Sequence, residues 1–214
     1  MGVLCLSTVA EARALTSENT YTIVNENGKQ VIVDNEGYFH IYFDNHGNEL
    51  DAQSALEIIS DFNKEIQVYS PKAVVYPYQN EMHYSSKSNY TGSRIKLTAD
   101  SVGPCTISYS RGKTVTEEFS SNISGSVTLK NMLIAEVQAS VGVSWSKSLS
   151  VTSTEAVSYN IPSGKTGAIY FTPYYVQYNC TYYNSDGKAS SVYGRCPKKL
   201  GTGFCDGLFE MIYK

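Results

Sequence analysis

Catalysis and metal binding need cysteines, histidines and carboxylates at particular spacings, and this chain offers five cysteines and three histidines to test. Cys5, Cys105, Cys180, Cys196 and Cys205 include no CxxC pair, and no histidine stands at zinc-finger distance from them, so they predict no metal site. His40, His46 and His83 fall in a strand-like run, a turn and a polar loop, and no G-x-S-x-G elbow, HExxH pair or phosphate-cradling glycine loop is present. Asp44, His46, Asn48 and Glu49 begin like a calcium loop, but its twelfth position is Ala55 and supplies no carboxylate. They read instead as a polar hairpin turn leading into a helix. The residue types therefore predict a protein that is not an enzyme and carries no cofactor.

The composition sets what must position any other kind of site. Of 214 residues, 42% are hydrophobic and 17% charged, with 18 tyrosines and a net charge of -3. That is enough buryable, β-favouring surface for a real core, and it lacks the basic footprint that nucleic acid requires. The expected fold class is all-β, mainly antiparallel and elongated, with long twisted strands and one short helix near residues 51–65. MGVLCLSTVAEARA, residues 1–14, reads as the tail of a secretory signal peptide with Ala12-Arg13-Ala14 as the cleavage motif. Removal of this segment takes Cys5 with it. Cys105, Cys180, Cys196 and Cys205 then remain as disulfide candidates for an oxidising, extracellular setting, with three pairings open.

Residues 15–66 read as a β-meander plus helix. TYTIV, QVIV and YFHIYF are separated by Asn27-Gly28 and by Asn35-Glu36-Gly37, and Asp51 is the expected helix cap. Residues 67–214 read as an elongated β domain. Within it, residues 115–145 alternate. The odd positions are mostly apolar, while the even ones are mostly Ser, Thr, Asn, Gln and Glu, which gives a strand one dry and one wet face. A strand this long must fold back, and Lys130-Asn131-Met132 serves as a loop that keeps the odd positions on one side, Leu129 facing Leu133. An ordinary sandwich sheet fits this pattern. So does a membrane-insertion hairpin, in which Phe119, Ile123, Val127, Leu129, Met132, Leu133, Ile134, Val137, Ala139, Val141, Val143 and Trp145 form the lipid-facing side and tip.

This Ser/Thr-rich stretch from Thr114 to Ser158, with its apolar turn at Leu129 to Ile134, resembles the aerolysin-like β-pore-forming proteins of the epsilon-toxin and mosquitocidal-toxin type. The resemblance continues in TEAVSYNIPSGKTGAIYFTPYYVQY, covers roughly residues 100–183, and is one of pattern rather than identity. It implies a secreted, soluble β protein that meets a target-cell membrane and forms a homo-oligomer there. The chain departs from better-known members in lacking an obvious lectin domain. Tyr170, Tyr174, Tyr175, Tyr178 and Tyr182 form a crowded row. Their flat rings with polar rims suit a surface glycan or lipid headgroups, or else simple cross-strand packing. A secreted or surface-attached β-sandwich binding carbohydrate or a protein through these tyrosines is the alternative to pore formation.

Overall fold

A computed structural model of the chain describes residues 20–62, 80–109, 115–118, 120–142, 148–151, 157–200 and 204–214. Residues 1–14, expected as a signal segment, with Cys5, and the expected hairpin residues Phe119, Val143 and Trp145 lie outside them. The fold is all-β and mainly antiparallel, as expected, with two short helices among the described residues.

The meander forms as its turn residues predict. β1 (Tyr21–Glu26) and β2 (Lys29–Asp34) are joined by Asn27 and Gly28 at φ 53° and 84°, the paired positive values of a type I′ turn whose twist matches that of the strands. β3 (Phe39–Phe43) follows, and then α1 (Ala52–Phe62), which is capped by Asp51: its Oδ1 accepts the Ser54 N–H at 2.9 Å. β4 (Glu81–Thr91), the short β5 (Ile95–Lys96) and β6 (Ser101–Val102), and β7 (Cys105–Tyr109) come next. After them run β8 (Val115–Glu118), β9 (Ser120–Ser121), α2 (Val127–Val141), β10 (Ser148–Val151) and β11 (Val157–Ile161). The chain ends with β12 (Thr166–Tyr183), β13 (Ala189–Pro197) and β14 (Gly207–Tyr213).

The 18-residue β12 is the spine of the main sheet, whose path runs β1-β2-β3-β14-β12-β13-β9. Its first half pairs with β14, and its second half lies between β4 and β13. The exchange of partners falls at Pro173, a residue with no N–H to give a ladder. Because β3 pairs with β14, the sheet runs straight across the boundary expected near residue 66. Among the described residues three apolar clusters form the core. Phe171, Phe209, Met211 and Tyr213 anchor the first, α1 covers the second, and α2 covers the third.

Two sequence expectations are corrected. Residues 127–141, expected as the inner arms and turn of a hairpin, are helical. Leu, Lys, Met, Ala, Glu and Gln are good helix formers. Ser126 caps the start by accepting the Leu129 N–H at 3.2 Å, and Gly142 ends the helix in the left-handed region at φ 70°. Local propensity and caps therefore override the alternation. No disulfide joins Cys105, Cys180, Cys196 and Cys205 to one another. On the β12–β13 ladder Cys180 pairs with Val192 and Cys196 with Val176. That offset of four residues corresponds to about 13 Å, twice what a disulfide spans. The Cys205 sulfur instead faces the Asp206 carbonyl at 3.4 Å.

Candidate functional site

The stretch singled out by its alternation is held between two strands that pair with each other. β8 pairs antiparallel with β10, Val115 opposite Val151 and Glu118 opposite Ser148. β7 pairs with β11, Cys105 opposite Ile161 and Tyr109 opposite Val157. Six positions separate Tyr109 from Val115 and six separate Val151 from Val157, so the two ladders share one register. Odd residues oppose odd residues throughout. Between Glu118 and Ser148 the chain leaves this ribbon, touches β13 through Ser120 and Ser121, and folds into α2.

α2 docks on the face of β4, β12 and β13. Leu133 and Val137, one helical turn apart, are the two helix residues with no exposed surface; they meet Met82, Tyr178, Cys180 and Val192. Ile123 is buried with them, and Leu129, Met132 and Val141 pack at the edge of the same cluster. Burying the two anchors is worth about 3 to 6 kcal/mol. Ile134 is half-buried, whereas Val127, at 72% exposure, and Ala139 stand in water. An alternating sequence wound into a helix scatters its apolar residues around the axis, and only those at helical spacing find a core. Glu136 adds one polar tie, its Oε1 accepting the Tyr84 N–H at 2.9 Å where the β4–β12 register shifts. At the entry to the segment, Ser121 Oγ is buried with no hydrogen-bond partner, a cost of about 1 to 3 kcal/mol to this arrangement.

Cys180 lies on the sheet under α2. Burial, then the nearby Glu136 charge, push its thiol up to about 12, so the docked helix suppresses its reactivity. The tyrosine row is divided rather than open. Tyr174, Tyr175 and Tyr178 are all less than a tenth exposed. Tyr178 and Tyr182 belong to the cluster beneath α2, while Tyr175 meets the Tyr90 ring at 6.3 Å. Tyr170 is half-buried below Arg94 and Lys96, whose charges sit 5.6 and 5.8 Å from its ring centre. Cross-strand packing accounts for most of the crowding.

A second arrangement, on the α1 side, escaped the sequence reading. Glu210 on β14 is buried with both carboxylate oxygens engaged, Oε1 at 2.7 Å from His40 Nδ1 and Oε2 accepting from Arg94 at 3.0 Å. The other His40 nitrogen lies 3.1 Å from Asp34 Oδ2. Burial alone would raise the Glu210 pKa, but the His40 hydrogen bond and the Arg94 charge outweigh it and hold the carboxyl below its ordinary range. Tyr42 is pushed well up by burial and then by Glu210. Asp34 is also lowered, because the Tyr38 and Glu36 N–H groups and His40 more than offset its desolvation. Both His40 ring nitrogens already face carboxylates, so neither is turned toward open space. The available signal was a single acid, Glu210, inside the apolar run GLFEMIY.

Among the described residues no group of three or more His, Cys, Asp or Glu is placed to hold a metal ion, and no helix is long and apolar enough to cross a membrane. Comparison with family models and with curated proteins finds no match for the chain.

Proposed function

We propose that this is a secreted, non-enzymatic protein that acts on a target-cell membrane and forms a pore as a homo-oligomer, α2 being the stored form of its insertion hairpin. One observation carries the reading: the common register of β7–β11 and β8–β10, continued inward, converts α2 into two matched strands with odd residues still opposite odd ones. In that register Val127 opposes Ala139, Leu129 opposes Val137, and Met132, Leu133 and Ile134 form the tip. The turn falls two residues beyond the one expected from sequence and is more apolar, which suits the part that enters lipid first. Even-numbered Ser124, Ser126, Thr128, Glu136, Gln138 and Ser140 then line a watery lumen, as a transmembrane barrel requires.

The stored helix allows a test that leaves the soluble fold alone. Val127 and Ala139 are exposed on α2 but lipid-facing in the hairpin. Val127→Asp and Ala139→Asp are expected to preserve the circular dichroism spectrum and melting temperature and to abolish release of a trapped dye from vesicles. A charge on the lipid face costs about 2 to 4 kcal/mol per chain at the bilayer midplane. Gln138→Asp, on the lumen side, retains release. Equal release by all three variants rejects the insertion role.

A further inference from the structure

A cavity of about 160 Å³ opens beside α1, between β1, β3, β12 and β14. Its walls carry three phenols, Tyr21, Tyr42 and Tyr174, with Thr172, Arg94 and Glu210. Four features define what fits. A protein cavity of about 150 Å³ takes one benzene ring, so this one seats a single six-membered ring and leaves the ring's substituents to reach toward the mouth. The phenol rings and the threonine methyl present carbon surface, the Tyr42 hydroxyl is bonded to Glu210, and the Thr172 hydroxyl can both donate and accept. Arg94 spends one N–H group on Glu210, its side chain is 40% exposed at the mouth, and a guanidinium has five such donors. Lastly, the charges at the wall cancel. Arg94 lies 3.0 Å from Glu210, so an anionic ligand meets a buried carboxylate and a cationic one meets the guanidinium.

We propose that this cavity binds one neutral hexopyranose residue of a glycan, with the C–H face of the sugar on the tyrosine rings and its hydroxyls shared between Arg94 and Thr172. A neutral polyol meets the remaining Arg94 N–H groups and the Thr172 hydroxyl without unbalancing the buried pair, which neither a phosphate, a sugar acid nor a quaternary ammonium does. The site stands on the α1 half of the sheet, apart from the segment proposed to enter the membrane, and its occupancy does not depend on that segment's conversion.

The test is a heteronuclear NMR titration of the full chain with the methyl glycosides of glucose, galactose and mannose, with phosphocholine and methyl glucuronide as charged comparators. Saturable shifts at the Arg94 Nε–H and the Thr172 amide with at least one methyl hexoside, and none with the charged probes, are expected. Thr172→Phe, which fills the cavity with a strand-compatible ring, weakens that binding roughly tenfold or more at unchanged melting temperature. Tyr21→Phe, which keeps the ring and removes one hydroxyl, weakens it less. The proposal is overturned by no saturation with any of the three hexosides up to about 100 mM, well above an ordinary weak dissociation constant. It is overturned equally by tighter binding of a charged probe, or by unaltered binding in a folded Thr172→Phe variant. Dye release is read separately, so failure here leaves the insertion proposal to its own test.

Discussion

The two helices lie on the same sheet and are built on opposite terms. In α1, Ala52, Ala55, Leu56 and Ile59 follow helical spacing and face the sheet together, so sequence pattern and conformation agree. In α2 the sequence repeats every two residues while the backbone repeats every 3.6, and the result is a helix with two fully buried anchors and exposed apolar residues such as Val127. Beneath the α1 side sits a buried charge network that ties β3 to β14. Beneath α2 sit a thiol, tyrosines and small aliphatics, a surface held by packing and one glutamate tie. In α1 the local pattern agrees with the fold, and in α2 it conflicts with it, which is the basis for proposing that α2 is the element that is exchanged.

The sharpest way to break this contrast is at the charge network. Glu210→Gln removes one member of a buried ion pair and is expected to lower global stability by about 3 to 5 kcal/mol near neutral pH, read as a shift of the urea midpoint. Since the folded pKa of Glu210 is lowered, its contribution is present above the ordinary carboxylate range and fades as pH falls through the folded value. The gap between wild type and variant should therefore narrow in acid. A gap that widens in acid contradicts the assignment.

Paired core truncations come next. Leu56→Ala and Leu133→Ala each remove a buried leucine, at a cost of about 2 to 5 kcal/mol. The first is expected to destabilise the whole domain. The second should speed amide hydrogen exchange over residues 127–141 while strands β12 and β14 keep their protection. If Leu133→Ala lowers protection in β14 as much as in α2, the helix is an ordinary part of the core. Ser126→Ala is the mildest probe, worth about 1 kcal/mol through loss of the cap. It should raise the rate of Cys180 alkylation severalfold, because Cys180 is covered by α2, and leave Cys205, buried in the first cluster, unlabelled.

Much of the α1 half was legible in the sequence. The type I′ turn at Asn27-Gly28 and the Asp51 cap follow local rules and stand where those rules put them. The α2 half was misread for a physical reason: alternation is a statement about faces, and it is silent on whether the segment is currently a strand. Ser126 and Gly142 as caps, with LKNMLIAEVQA between them, were the signals for helix, and they compete with the alternation rather than refine it. The tyrosine row was visible, but its burial was not, since that depends on which elements land on β12. Glu210, His40 and Arg94 are far apart in sequence, and only the pairing of β3 with β14 brings the first two together.

The central claim is that α2 and its flanks become a hairpin in the register already set by β8 and β10. A double variant, Val127→Cys with Ala139→Cys, tests it directly by oxidative cross-linking and peptide mapping. Twelve residues of helix hold these positions about 18 Å apart, whereas opposed strand residues lie within about 5.5 Å, inside disulfide reach. The account predicts no 127–139 bond in solution and its formation once vesicles are added. Absence of that bond on vesicles that are being permeabilised, or its formation equally fast without them, contradicts the account.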